Sequence, residues 1–133
     1  MGGTVPAVSP LDVLEQRRAA VTGQDADAFA DLFAPDGVIE LPFAGPDVPD
    51  RIEGREAIRA FARAAMGALR IDALVTLAVH RTEDPEVVVT ETLTKGVGRG
   101  DAFEGRSVQF FRIRDGAILL FRDYTGPLRK PSS

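Results

Sequence analysis

The sequence predicts a single α+β domain in which about three N-terminal helices pack on a curved antiparallel sheet. Three observations lead there. Apolar side chains recur at helical spacing only in the first half of the chain, whereas from residue 71 onward they alternate with a period of two, the mark of half-buried strands. Turn signals at Glu83-Asp84-Pro85, the glycines of 96–101 and Asp115-Gly116 then divide that second half into strands that fold back on one another. Helices gathered at one end of a chain and strands at the other give segregated layers rather than βαβ units.

Residues 1–8 are small or proline-rich without periodicity and read as a loose arm. Ser9-Pro10-Leu11-Asp12 is a helix start, with Ser9 as N-cap, proline in the first turn and an acid after it. Leu11, Leu14, Arg18 and Val21 follow at helical spacing until Gly23. A second short helix begins at Asp25, with Ala26, Phe29, Leu32 and Phe33 as its apolar face and Pro35 as its stop. Residues 38–43 form a short strand whose proline suggests an edge position, and 44–54 read as a loop flanking a cavity. The third helix spans 54–69, with Ile58, Phe61, Ala62 and Ala65 on one side and Arg55, Arg59 and Arg63 as a solvated stripe on the other. Strands are expected over 71–81, 87–95, 106–113 and 117–125. The expected domain covers 9–128, leaving 129–133 as a tail.

Composition narrows the chemistry. At 133 residues, 44% hydrophobic and 27% charged, the chain suits one soluble domain. No apolar run is long enough to cross a bilayer and no leader pattern opens the sequence, so a cytoplasmic setting is expected. The absence of cysteine excludes thiolate catalysis and thiolate metal sites, and a single histidine, His80, excludes multi-histidine zinc. No metal or cofactor is expected. A net charge of -4 argues against nucleic acid or an anionic membrane as a partner.

The closing pair, 106–113 and 117–125, is the spine of the predicted sheet, because Asp115-Gly116 supplies the positive φ angles of a tight hairpin. Alternation places Leu119, Phe121 and Asp123 on one face and Leu120, Arg122 and Tyr124 on the other. A carboxylate in line with large apolar side chains is costly unless it is paired or functional. Asp123 is therefore the leading candidate site residue.

The pieces Leu32-Phe33-Ala34, Gly54-Arg55-Glu56-Ala57-Ile58 and Arg122-Asp123-Tyr124, in this order of elements, resemble the nuclear transport factor 2-like superfamily. Its members are cone-shaped, cystatin-like α+β domains. More narrowly, the chain resembles the SnoaL-like polyketide cyclases and the limonene epoxide hydrolases. The resemblance spans nearly the whole chain and implies fold better than function. Ketosteroid isomerases in the superfamily use an aspartate, a tyrosine and an aspartic acid where this sequence has Leu41, Arg17 and Gln109. The epoxide hydrolases use an arginine and an aspartate where it has Thr92 and Thr94; of their trio only Asp123 is retained. What the resemblance implies best is the SnoaL-like chemistry, in which the aspartate of the closing strand is the acid/base, here Asp123.

On that reading Phe29, Phe33, Leu41, Phe61, Phe111 and Phe121 form apolar walls, with Thr90, Thr92, Gln109 and His80 as polar anchors. Plainer readings stand beside it: Asp123 paired with an arginine, Gln109 satisfied internally, the threonines chosen for β-propensity, His80 on the surface and the phenylalanines filling a closed core. Three function classes follow. The chain is an acid/base enzyme acting on an apolar carbonyl compound by cyclisation, isomerisation or hydrolysis, a non-catalytic binder of such a compound, or a structural dimer. The outer sheet face, with Val87, Val89, Leu93, Val108, Phe110, Leu120 and Tyr124, is expected to pair with a second copy.

Overall fold

The computed structural model describes residues 9–131; the expected arm over 1–8 lies outside the described residues, as do the last two positions of the tail. Helix α1, Pro10–Thr22, opens with the expected cap: Ser9 Oγ accepts from the Asp12 amide and the Asp12 carboxylate accepts from the Ser9 amide, both at 3.2 Å, a reciprocal capping box. Helix α2, Ala26–Asp31, is capped by the Asp25 carboxylate, which accepts from the Ala28 amide. It ends before Pro35, and the chain turns directly into strand β1, Phe33–Glu40.

Strand β1 differs from expectation. It starts five residues early, accommodates Pro35 in an irregularity between Phe33 and Val38, and ends before Pro42. The sheet edge belongs instead to β2, Arg51–Glu53, a short strand within the segment expected to be a loop. Helix α3, Arg55–Ala68, buries Ile58 and Ala62. Its arginines are not a free stripe. Arg55 Nε donates to the Phe33 carbonyl, Arg59 holds Asp27 and Asp31 of α2 as well as Glu56, and Arg63 reaches Asp27. The charge pattern that looked solvated clamps α3 to α2 and to the start of β1.

Four long strands follow: β3 Leu69–Arg81, β4 Val87–Gly98, β5 Asp101–Arg114 and β6 Ala117–Thr125. The six-stranded order is β2-β1-β6-β5-β4-β3. Every pairing is antiparallel except β1 with β6, which is parallel, so the sheet is mixed. Asp115 and Gly116, at φ 52° and 77°, make the hairpin between β5 and β6. A bulge at Leu119 shifts the register, pairing Ile113 with Ile118 and Arg112 with Leu120. Ile118, not Leu119, is therefore the fully buried neighbour of Phe121. The extra residue breaks simple alternation.

The core lies between the three helices and the inner face of the sheet, built on Val13, Phe29, Phe33, Ile39, Ile58, Phe111, Ile118 and Phe121. This is an α+β domain of helices on one sheet face. Among the described residues no helix is long and apolar enough to cross a membrane.

Candidate active site

Period two along β4, β5 and β6 brings one set of polar side chains to the inner face. Thr90 pairs with Gln109 and Gln109 with Asp123, while Thr92 pairs with Ser107 and Ser107 with Thr125. The two rows lie side by side across the middle of the sheet. Thr90, Thr92, Ser107 and Gln109 are all buried.

From the other side of the core, Arg17 of α1 points into this group. It sits at i+4 from Val13 and i−3 from Ala20, the buried face of the helix, and only 7% of its surface is exposed. Its guanidinium lies 4.8 Å from the ring centre of Phe121 and 5.1 Å from that of Phe111. Those rings stack 4.8 Å apart and 10° from parallel, giving the cation two π faces.

Arg17 donates to Gln109 Oε1 at 2.9 Å, and Gln109 Nε2 donates to Asp123 Oδ2 at 3.4 Å. A donor on one side and a carboxylate on the other leave only one orientation for the amide. Thr92 also donates to Gln109 Oε1, at 3.2 Å, and Thr90 lies 3.3 Å from Thr92. Among the described residues Arg17 Nε is the one fully buried side-chain polar atom without a hydrogen-bond partner. Burial pushes the Arg17 guanidinium down to about 10, and the negative charge of Asp123 works against that fall.

The second oxygen of Asp123 heads a separate chain. Thr125 donates to Asp123 Oδ1 at 2.7 Å. With that proton committed, the 3.0 Å contact between Ser107 and Thr125 has Ser107 as its donor. The carboxylate is thus held at both oxygens and aimed.

It is aimed at a cavity of about 520 Å³. The walls are apolar, from Leu41, Phe43, Val48, Leu69, Ile71, Phe103 and Leu128, and the polar atoms come from Thr94, Ser107, Thr125 and Asp123. Asp123 is the sole ionisable side chain among the described residues that line it. A carboxylate facing such a space is equipped to exchange a proton with an apolar guest.

The expected walls are placed differently. Of the six, only Leu41 lines this cavity. Phe33 and Phe111 are fully buried; Phe33 packs on Phe29, and Phe111 stacks on Phe121 beneath Arg17. Phe29 and Phe61 border a smaller space of about 190 Å³ with Val21 and Met66. Gln109 bonds Asp123, and Thr90 and Thr92 bond Gln109; none of the three lines the cavity. His80 is on the outer face, paired across strands with Val89 and 2.6 Å from Glu91 Oε2, away from the cavity.

Arg17, Ser107, Thr125 and Thr94 complete the site, and part of it had a signal. Ser107 is two before Gln109 and Thr125 two after Asp123, so alternation along β5 and β6 carries them to the same face. The rim residues Val48 and Leu128 lie in irregular segments, where no period identifies a wall, and Phe43, expected on a strand, lies past the end of β1.

Comparison with known proteins places this geometry in context. A family model for the SnoaL-like domain matches residues 14–121. An uncharacterized PhzA/B-like protein of Pseudomonas aeruginosa is 37% identical over 107 residues, 79% of this chain and 75% of its own. Among solved structures, a Bacillus subtilis protein provisionally named an isomerase superposes with a TM-score of 0.83 at 25% identity, covering 88% of this chain and 86% of that one. The Δ5-3-ketosteroid isomerase of a Mycobacterium species gives 0.77 at 20% identity, covering 90% and 97%; at that identity the likeness is one of fold.

Proposed function

Because the chain belongs to the SnoaL-like family, we propose that it is a cofactor-independent acid/base enzyme acting on an apolar carbonyl compound, polyketide-like in character, with Asp123 as proton shuttle. The family and its isomerase-like fold neighbours support an enzyme-like role. The observation that carries the finer reading is the isolation of Asp123, one aimed carboxylate in an apolar cavity of about 520 Å³.

The chemistry follows from those groups. Asp123 takes a proton from the carbon beside a carbonyl, and the C–H electron pair moves onto the carbonyl oxygen as an enolate. Thr94, a cavity-lining residue whose hydroxyl has no hydrogen-bond partner among the described residues, supplies a donor for that oxygen. The enolate carbon then attacks a second carbonyl in the same molecule, closing a ring, or is reprotonated elsewhere, isomerising it. The carboxylic acid returns its proton to the new alkoxide or carbon. The walls hold the two carbons in reactive geometry, a contribution of roughly 7 to 11 kcal/mol when alignment is good.

A second reading, a binding domain without turnover, is favoured by one observation: both oxygens of Asp123 already accept hydrogen bonds from the protein, from Gln109 and from Thr125. Deuterium incorporation from heavy water into 2-tetralone, followed by mass, separates the two. The wild type accelerates exchange and Asp123→Asn loses roughly 10²- to 10⁴-fold. Equal rates in the two proteins contradict the acid/base role. The proposal also places the protein in the cytoplasm, which fractionation of the producing cells tests.

A further inference from the structure

Hydrogen bonds along one wall of the cavity all point the same way. The ionised carboxylate of Asp123 accepts and does not donate, so Thr125 directs its proton to Oδ1 at 2.7 Å. Ser107, 3.0 Å from the Thr125 hydroxyl, is then the donor of that pair. Each hydroxyl carries one proton, and both are committed. The Ser107 side chain is buried and belongs to the cavity lining, and its oxygen accepts from no group among the described residues. It meets a guest as a bare acceptor.

The other polar side chains of the lining leave the same demand. Asp123 and Thr125 have lone pairs to spare but no proton to offer, and Thr94 alone is free to donate. A guest that carries only carbonyl oxygens satisfies Thr94 and leaves Ser107 among apolar walls without a donor, which costs affinity. The neighbouring side chain does not fill the gap: Thr92, opposite Ser107 on β4, donates to Gln109 Oε1 at 3.2 Å instead. A guest hydroxyl at Ser107 completes a chain from guest to Ser107 to Thr125 to Asp123. Every O–H in it points towards the charge, and bonds so aligned polarise and strengthen one another.

We propose that Ser107 selects a hydroxyl on the ligand, so that the substrate class narrows to apolar ketones that also carry an O–H donor. Ser107 and Asp123 are diagonal neighbours on β5 and β6, because Gln109 is the residue opposite Asp123, a spacing of about 7 to 8 Å. The hydroxyl therefore sits several bonds from the carbon whose proton Asp123 takes, on a second ring rather than beside the carbonyl. The proposal rests on the reading of the cavity as the ketone site but not on proton transfer, and its test measures binding alone. A site built to hydrogen-bond a hydroxyl discriminates against the analogue that lacks one.

Titration calorimetry compares 2-tetralone with its phenolic isomers, which carry one hydroxyl on the aromatic ring, and with their methoxy counterparts, which accept but do not donate. In the wild type at least one phenolic isomer binds about tenfold more tightly than 2-tetralone, and its methoxy counterpart does not. Ser107→Ala removes that gain and leaves the affinity for 2-tetralone within about threefold. Asp123→Asn removes it by another route. Gln109 Nε2 holds the amide oxygen on its own side, so the amide nitrogen donates to Thr125, the chain turns round, and Ser107 becomes a donor. A cooperative melting transition above the assay temperature checks that both variants are folded. The proposal is overturned if no phenolic isomer gains over 2-tetralone, if the methoxy counterpart gains as much, or if either variant keeps the gain. A wild type that binds none of these ketones overturns it together with the cavity as ketone site. A hydroxyl preference without deuterium exchange supports it and overturns the acid/base reading alone.

Discussion

Arg17 and Asp123 are joined through a single amide: the guanidinium donates to Gln109 Oε1 at 2.9 Å and the other end of that amide donates to the carboxylate at 3.4 Å. A cation from the first helix and an anion from the last strand are thereby held in one network without touching, one packed on stacked rings and the other facing the cavity. The charges stabilise each other across the bridge. Neither is as comfortable alone.

Removing the anion therefore exposes the cost of the cation. Asp123→Asn is expected to destabilise the fold by about 1 to 3 kcal/mol, less than breaking a direct buried pair. Arg17→Met in that background recovers most of the loss, and urea unfolding of the four proteins of the cycle measures the coupling. The pH sign follows from Arg17, whose folded value lies below its unfolded one. Its penalty is complete below about 10 and is relieved as pH rises above that. The stability deficit of Asp123→Asn narrows above that pH.

Gln109 cannot be replaced by a shape-matched apolar residue without stranding its neighbours. Gln109→Leu leaves the Arg17 terminus without its acceptor and Asp123 Oδ2 without its donor, and a loss of about 2 to 4 kcal/mol is expected. Gln109→Glu keeps an acceptor for Arg17 and retains more of the stability. Equal losses in the two variants would mean that volume, not hydrogen bonding, decides at this position.

The clamp between α2 and α3 sets part of the acid sensitivity. Hydrogen bonds from Arg59 hold the Asp27 and Glu56 carboxyls below the usual carboxylate range. Groups lowered in this way contribute stability that is complete above their unfolded values, near pH 4, and lost as pH falls through the folded ones. Arg59→Ala should weaken the protein at pH 7 more than at pH 3, as read from urea midpoints at both.

His80 is expected to be silent in binding. Among the described residues its ring bonds only Glu91, on the outer face, so His80→Ala changes stability by no more than about 0.5 kcal/mol and leaves the affinity for 2-tetralone unaltered. A weakened affinity would place the ligand on the outer face.

That outer face is also where a second copy is proposed to pack. Val75, Leu77 and Val108 are each more than 40% exposed there, a larger apolar patch than isolated surface residues make. Val87, assigned to this face from the sequence, is instead buried at 7%. Sedimentation at micromolar concentration should give the mass of a dimer, and Val108→Glu that of a monomer.

The sequence made the sheet half of the site legible and the helix half not. Alternation along the last strand put Phe121 and Asp123 on one face, but the Asp-Gly turn by itself would set them opposite Phe110 and Val108; the one-residue shift at Leu119 brings them onto Phe111 and Gln109. The bulge at Leu119 left no local signal, so Ile118 was missed as the buried neighbour. On α1 the apolar series of Leu11, Leu14 and Val21 drew the buried face one position away from Val13, Arg17 and Ala20. An arginine enters a core only when distant partners accept it, and Gln109 lies 92 residues along the chain from Arg17. The helical series did admit a charged member, Arg18, but one position off the buried face. The phenylalanines misled for the same reason, since composition cannot say whether rings meet each other or a void.

The central claim is that Asp123 moves a proton rather than merely lining a binding site, and one paired measurement on the same samples tests it: the dissociation constant of 2-tetralone and its rate of deuterium exchange, in wild type and Asp123→Asn. The account predicts affinities within about threefold of each other and a rate lower by at least about 100-fold in the variant. An exchange rate that follows occupancy alone, unchanged in Asp123→Asn at equal bound ketone, would contradict it.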